Sequence, residues 1–419
     1  MVHPQVFYDW LNRPDTRFAG NMFFPNSPGH MITEIDNFLR MRHLGEIERN
    51  YNYLAVLHKG VLQIPDIIGA MFPNVFNPES GIQIWMAENE IVNLVHEIQA
   101  LRTENVIDVG VSHFKVALPN DDERRRARLW HIPDLPRPYY WIVSQETNFD
   151  LSLQYYRRRA QSPDYCPLGD IPALTPELEQ FLGGTPDKLA LLHIRSNQRD
   201  SLSAVNAGTT TDPAVMLETI KYLKDMGYTL VKVGREPYPA DWARYSVLNY
   251  TNSPLLNFRN DMLLIKAAKL VMVNASGFGN LPDVLGTPMV YYGVWHVASL
   301  VGGPKSVIVP SLMRSRRTNR LLRFSEQVQY YRDLPEYWEK KGCMGFPDDE
   351  YTERAPSSED LLAATQEAIA LGSQFVPRSI EQERFLDIDR KKFFAHIQSR
   401  ISQKFLERFP EVLEAGFNE

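Results

Sequence analysis

The strongest constraint on the fold lies between residues 189 and 293, where short apolar runs alternate with polar loops and helical patterns. Four runs are predicted to be strands: Leu189–Arg195, Tyr228–Gly234, Leu270–Asn274 and Pro288–Gly293. Between the first two, Met216, Ile220 and Leu223 fall at i, i+4 and i+7, the spacing of one apolar helix face. Strands that alternate with helices pair in parallel through right-handed crossovers. The segment therefore predicts an α/β domain.

Length, charge and cysteine content exclude several classes of protein. A chain of 419 residues favours two domains. A net charge of −6 gives no electrostatic case for nucleic-acid binding. The two cysteines lie far apart without ligand partners at metal spacing, which favours a reducing compartment. No apolar run approaches the roughly 20 residues that span a bilayer, and the N-terminus lacks a signal-peptide pattern. We expect a cytoplasmic protein without a membrane span.

Composition divides the chain into three parts. A Pro- and Gly-rich stretch over 161–188 is typical of an interdomain connection. We therefore predict a first Rossmann-like domain over 1–175, a second over 186–370, and a charged helical tail over 371–419 that could pack back on the first domain. In the first domain, Ile35, Phe38 and Leu39 predict a helix over 34–44.

The end of the first predicted strand of the second domain carries His193 and Arg195. Ligands of open α/β sheets bind outside the carboxyl ends of the strands. An arginine there suits a diphosphate, because its planar fork of donors matches phosphate oxygens. The alternative is an arginine paired with a nearby carboxylate. This placement predicts nucleotide binding.

Two more loops follow strands in the same domain. The loop after the third strand is predicted to approach an anion through its backbone amides, and it consists of Ser276, Gly277, Phe278, Gly279 and Asn280. Gly234 and Arg235 close the second strand, where they could contact a base or ribose. A solvated turn is an equally good interpretation of Arg235.

Candidates for a general base lie in the first domain. A glycine-containing turn over 26–30 precedes the predicted helix, and the candidates in and after it are His30, Glu34 and Asp36, with His113 further along. Each could instead cap a helix or be satisfied in the core. The sequence has no Asp-X-Asp signature, P-loop, Gly-X-Ser-X-Gly elbow or His-Glu-X-X-His motif. We expect no metal and no other cofactor.

Three blocks resemble a family of bacterial glycosyltransferases with two Rossmann-like domains, the GT-B type. The blocks begin at Pro28-Gly29-His30, at Leu192-His193-Ile194-Arg195, and at Asn260-Asp261, the last running to Leu285-Gly286-Thr287-Pro288. The second block is also similar to the His-Val/Ile-Arg motif of fucosyltransferases. Ser276 to Pro288 resembles the donor-site loop of heptosyltransferases, except that Asn280 and Leu281 stand where those enzymes carry a histidine.

The resemblance implies an α/β protein of GT-B architecture, with two α/β/α domains that face a cleft. It implies a metal-independent transfer of sugar from a nucleotide-diphosphate donor, bound by the second domain, to a hydroxyl of a glycan, lipid-linked or protein acceptor. Inversion at the anomeric carbon and a part in bacterial surface glycan or glycoconjugate synthesis are implied as well. The departure at Asn280 and Leu281 leaves the identity of the donor open. A nucleotide-sugar epimerase of the same fold, or a non-catalytic nucleotide- or sugar-binding protein, remains an alternative.

Overall fold

The computed structural model describes residues 17–19, 28–46, 51–58, 82–87, 106–107, 115–117, 140–142, 154–195, 211–295, 302–330, 349–388 and 393–414. Described residues up to Asp170 belong to one compact unit, and those from Ile171 onward belong to a second. Within these ranges, no helix has the length and apolar character needed to cross a membrane.

The first unit contains a parallel sheet. Its strands are β1 (Arg17–Ala19), β2 (Tyr51–His58), β3 (Ile82–Ala87) and β4 (Val106–Ile107). They pair in the order β3-β2-β1-β4, which is the order of the first four strands of a doubly wound nucleotide-binding fold. A separate antiparallel pair consists of β5 (Lys115–Ala117) and β6 (Tyr140–Ile142).

Two helices of the first unit pack through buried side chains. Helix α1 (Pro28–His43) begins earlier than predicted, so the turn expected over 26–30 is already helical from Pro28. Its residues Ile32, Ile35 and Phe38 are fully buried, as the predicted apolar stripe requires. Helix α2 covers 154–161 and contacts α1 through polar groups.

The second unit holds the larger sheet. Its strands are β7 (Leu189–His193), β8 (Thr229–Val233), β9 (Leu248–Asn249), β10 (Leu270–Asn274), β11 (Met289–Val294), β12 (Ser306–Pro310) and β15 (Arg400–Ile401). Between β12 and β15 in the chain, β13 (Leu312–Ser315) and β14 (Tyr351–Arg354) form a separate antiparallel pair. The sheet order is β15-β12-β11-β10-β7-β8-β9, with every pair parallel. This is the doubly wound order with one strand added, and it confirms the predicted α/β class.

The helices of the second unit join these strands. They are α3 (Pro176–Leu182), α4 (Leu217–Asp225), α5 (Phe258–Ala267), α6 (Asn280–Val284), α7 (324–330), α8 (Ser358–Ser373), α9 (Ile380–Leu386) and α10 (Gln403–Arg408). Met216, Ile220 and Leu223 are all fully buried, as their spacing predicts. Ser357 and Asp360 form a capping box at the start of α8. The Pro-rich stretch expected to connect the domains contains α3, which Thr175 caps.

The described part of the tail extends the second unit. Strand β15 pairs with β12 at the edge of the large sheet. The amide of Gln403 donates to Glu367 on α8 at 2.9 Å, and Arg408 on α10 lies 3.1 Å from Asp360. These residues of the tail join the sheet and the helix layer of the second unit. That the tail also packs back on the first domain stays a prediction.

Candidate functional site

The strand order of the second unit reverses between β7 and β10. From this point the chain builds outward through β8 and β9 on one side and through β11 and β12 on the other. Helices cross to opposite faces of the sheet at such a reversal, which leaves a crevice at the carboxyl ends of the two central strands. We call this place the switch point. It is marked by His193, the last residue of β7, and by Asn274, the last residue of β10.

His193 is held on several sides at the switch point. Its Nδ1 lies 3.3 Å from the side-chain oxygen of Asn274. Its ring stacks on Phe278 with centroids 4.7 Å apart and planes 13° from parallel. The hydroxyl of Tyr292 donates to its main-chain carbonyl at 3.0 Å. The predicted residues His193 and Phe278 are therefore in direct contact, and the side chain of Asn274, which the sequence did not single out, joins them.

The imidazole of His193 is neutral at physiological pH. Burial, together with the positive charge of Lys232, lowers the pKa of His193 to about 3. A neutral ring adds no positive charge beside a phosphate. The phosphate-binding roles of His193 and Arg195 stay predictions, and of the two side chains only the guanidinium of Arg195 would bring a positive charge.

Gly234 closes β8 against the same ring. Its φ of +83° lies in the left-handed region, and a Cβ built at this position would stand 2.7 Å from Cδ2 of His193. Both observations exclude a side chain here without rearrangement. The glycine that the sequence placed at the end of β8 thus allows the backbone to reach the imidazole.

Lys232 secures the loop that follows β8. The side chain is fully buried, and its Nζ donates to the carbonyls of Gly234 and Glu236 and, at 2.9 Å, to the hydroxyl of Thr251. Burial lowers the pKa of Lys232 to about 8. Sequence reasoning missed this residue, although a lysine inside an otherwise apolar strand was a visible signal.

The loop over 276–280 forms a short 3₁₀ turn, Gly277–Gly279, that leads into α6. The turn itself uses the amides of Gly279 and Asn280, while the amides of Gly277 and Phe278 at its start have no partner within it. The hydroxyl oxygen of Ser276 is buried and makes no hydrogen bond in the described structure. The polar groups suited to an anion are therefore at the first half of the loop.

Gly279 has a packing reason of its own. A Cβ built there would stand 2.8 Å from Cε2 of Tyr291 on β11. The absence of a side chain at Gly279 lets the turn pack closely against β11. The N–H of Gly279 donates to the carbonyl of Ser276 at 3.0 Å, and its predicted contact with an anion stays a prediction.

Two arginines differ in their surroundings. Arg195 is half-buried just beyond β7, close enough to Tyr291 and His193 to influence both electrostatically. Arg235 is exposed beyond Gly234 and lies near Asp261 in the first half of α5. Burial raises the pKa of Asp261 to about 7, against the opposing effect of Arg235. Arg195 thus belongs to the switch point, and Arg235 faces the start of α5.

Of the candidate bases, Asp36 has a described side chain. It is fully buried and accepts hydrogen bonds from Nε of Arg40 and from the hydroxyl of Tyr155, both at 2.8 Å. This geometry ties α1 to α2. His30 and Glu34 lie on α1 with side chains outside the described set, and His113 lies outside the described residues. Across the described ranges, no three His, Cys, Asp or Glu residues group as metal ligands would.

The comparisons with known proteins give structural neighbours. No protein-family model matches the chain, and no curated protein matches it. A heptosyltransferase of E. coli bound to ADP shares 14% identity at a TM-score of 0.35, over 78% of this chain and 97% of that one. A family 9 glycosyltransferase from Veillonella parvula shares 13% identity at a TM-score of 0.41, over 84% and 96% of the two chains.

A further neighbour belongs to another enzyme class. A candidate UDP-N-acetylglucosamine 2-epimerase from Listeria monocytogenes shares 10% identity at a TM-score of 0.31, over 87% of this chain and 99% of that chain. Identity and TM-score are low for all three neighbours. The functional proposal is therefore argued from the strand order and from the contacts at the switch point.

Proposed function

We propose that the chain is a glycosyltransferase whose second unit binds a nucleotide-diphosphate sugar at the switch point. The observation that carries the proposal is the reversal of strand order between β7 and β10, with Arg195 and the 276–280 loop directly beyond those two strands. Doubly wound sheets bind nucleotides at this position. The same strand order begins the sheet of the first unit, and two such units are what a GT-B transferase requires.

The chemistry assigned to Arg195 is neutralisation of the leaving diphosphate. When the bond between sugar and diphosphate breaks, negative charge develops on the phosphate oxygens, and a preorganised cation stabilises that charge in the transition state. The amides of Gly277 and Phe278 and the hydroxyl of Ser276 would add neutral donors. In this proposal the arginine neutralises the charge that a divalent cation neutralises in metal-dependent sugar transferases, so the transfer is metal-independent. The transfer is proposed to proceed with inversion at the anomeric carbon.

The acceptor side of the proposal rests on the sequence. The acceptor hydroxyl would belong to a glycan, lipid-linked or protein acceptor of bacterial surface glycan or glycoconjugate synthesis. His30, Glu34 and His113 stay predictions for the base that deprotonates it. Asp36 is the weaker choice, since its carboxylate already pairs with Arg40 in the core.

Thermal stabilisation tests the donor site directly. Wild-type protein is heated with UDP, GDP, ADP, CMP and dTDP and with their sugars, with and without EDTA. Arg195→Ala and the matched control Arg244→Ala, which removes an exposed arginine of the same unit, are treated identically. A ligand that binds the folded chain raises Tm by mass action. We expect one nucleotide class to raise Tm of the wild type and of the control but not of Arg195→Ala. EDTA should not change these Tm shifts.

Two outcomes would redirect the proposal. A sugar nucleotide that is isomerised without any acceptor would identify an epimerase. Binding without isomerisation, hydrolysis or transfer to any acceptor would identify a binding protein. Equal stabilisation of Arg195→Ala and wild type would remove the role given to Arg195.

A further inference from the structure

Residues at the ends of two neighbouring strands, β10 and β8, meet on the imidazole ring at the end of β7. Nδ1 of His193 faces Asn274 at the end of β10, at 3.3 Å. One face of the ring stacks on Phe278 in the 276–280 loop, 4.7 Å away. Its Cδ2–Nε2 edge lies against Gly234 at the end of β8. The orientation of this ring is therefore coupled to the two loops that follow β10 and β8.

Asn274 determines the orientation and the tautomer of the His193 ring. It is fully buried, and the oxygen that faces His193 is an acceptor, so Nδ1 must carry the ring proton. The nitrogen that is protonated in a neutral histidine is set by the hydrogen bond made at the ring. A ring turned by 180° would place carbon against the amide oxygen, and the buried hydrogen bond between His193 and Asn274 would be lost, which is costly.

We propose that Asn274 and His193 are positioning residues that hold the 276–280 loop in its ligand-binding form. Asn274 fixes the plane and the tautomer of His193, and the fixed ring provides the platform on which Phe278 stacks. Phe278 in turn positions the turn Gly277–Gly279, in which the amides of Gly279 and Asn280 make the turn's own hydrogen bonds and those of Gly277 and Phe278 do not. Neither Asn274 nor the ring of His193 contributes charge to the ligand. The last step of this inference, an effect on nucleotide affinity, rests on the proposed function.

The first experiment reads the tautomer in the full-length protein without any ligand. Protein labelled with ¹⁵N-histidine gives ring nitrogen signals for the ten histidines, and a His193→Gln sample identifies the signals of His193. We expect a protonated Nδ1 and an unprotonated Nε2 in the wild type, and a mixture of the two tautomers in Asn274→Ala. A wild-type ring protonated at Nε2, or a variant whose tautomer is unchanged, would overturn the inference.

The second experiment measures order in the loop by hydrogen–deuterium exchange. Asn274→Ala should speed exchange of the amides in the 276–280 loop, while Asn249→Ala, which truncates an asparagine at the end of β9, should not. Phe278→Leu should speed the same exchange without changing the tautomer of His193, and it keeps the test available if Asn274→Ala does not fold. Equal exchange in all four proteins would contradict a positioning role.

The third measurement connects the loop to the proposed function. Asn274→Ala and Phe278→Leu should each weaken the nucleotide found by thermal stabilisation about tenfold, as loss of about one buried hydrogen bond or ring contact would, while Asn249→Ala binds like the wild type. If the wild type binds no nucleotide, the proposed function fails, and the tautomer and exchange results still decide the positioning role. If nucleotide binds all variants equally, the inference fails and the proposed function stands.

Discussion

The backbone of Gly234 lies directly against the imidazole of His193. A Cβ at position 234 would come within 2.7 Å of Cδ2 and 3.0 Å of Nε2 of that ring. The main chain itself takes up a φ of +83° there, a conformation that costs an L-residue about 1–2 kcal/mol. Glycine is therefore required at position 234 for two reasons, the positive φ of the turn and the close approach of the His193 ring. Mutation can separate the two.

Gly234→Ala should destabilise the second unit more than the turn alone explains. Gly227 provides the matched control, because its φ is +81° and nothing lies within 4 Å of its Cβ position. We expect Gly227→Ala to lower the free energy of unfolding by about 1 kcal/mol and Gly234→Ala by about 1–3 kcal/mol more, the range found for overpacked sites. Denaturant unfolding of both variants measures the difference. Equal losses would mean that the ring moves aside freely.

The central strands of the second unit could be predicted because they are buried on both faces. Such strands form continuous apolar runs, and the run Leu270–Asn274 has the same bounds as β10. Strands β9 and β15 have two residues each, too few for any period, so only their neighbours in the sheet define them. The pairing of the tail's strand, β15, with β12 could not be predicted either, because it joins residues far apart in the sequence.

Part of the candidate site could be predicted in the same way. The predicted strands end near His193, at Gly234 and just before the 276–280 loop, which predicts that these residues lie at one edge of the sheet. The structure brings them into contact. The hydrogen bond between His193 and Asn274 joins residues that are 81 positions apart, and no local signal specifies it. The neutral state of the imidazole was also hidden, because it follows from burial and from Lys232 on the neighbouring strand.

Asp36→Asn should reveal a structural carboxylate. Asp36 is fully buried and pairs with Arg40 at 2.8 Å, and removing one partner of a buried ion pair costs about 3–5 kcal/mol. We expect a large fall in Tm, with turnover per folded molecule nearly unchanged. Asp225→Asn is the comparison: Asp225 pairs with Lys221 on α4, and the two side chains are 62% and 63% exposed, so its loss should lower Tm much less. A stable Asp36→Asn protein without turnover would instead support a catalytic base.

Asp261→Asn should stabilise the protein in a pH-dependent way. The folded pKa of Asp261, raised to about 7 by burial, lies above its unfolded value of about 3.9. The folded chain therefore holds this proton more tightly, and the resulting stability is complete below pH 4 and is lost as the pH rises through 7. Asparagine carries no such loss. The free energies of unfolding of the two proteins, from denaturant unfolding at each pH, should be equal near pH 4 and differ by about 1–2 kcal/mol at pH 8. A difference that does not change with pH would contradict the raised pKa of Asp261.

Two arginines, Arg378 and Arg400, join two segments of the tail by hydrogen bonds to main-chain carbonyls. Arg378 donates through Nη2 to the carbonyls of Ile397 and Gln398, at 3.1 and 3.0 Å. Arg400, at the start of β15, donates through Nη1 back to the carbonyls of Val376 and Pro377, at 3.1 and 3.3 Å. Each guanidinium thus bridges the segment that carries the other, so the connection after α8 and the approach to β15 are joined twice.

Arg378→Lys should loosen this join although the charge is kept. The ammonium of lysine lies closer to its own backbone than Nη2 of an arginine does, so it falls short of the two carbonyls, and a carbonyl left unpaired costs about 1–3 kcal/mol. We expect a loss of about 1–2 kcal/mol and faster proteolysis of the chain beyond α9, while Arg384→Lys at an exposed position of α9 changes neither. Because the two arginines share one pair of segments, Arg378→Lys and Arg400→Lys together should cost less than the sum of their separate losses. Strict additivity in that double-mutant cycle would mean that the two arginines act independently.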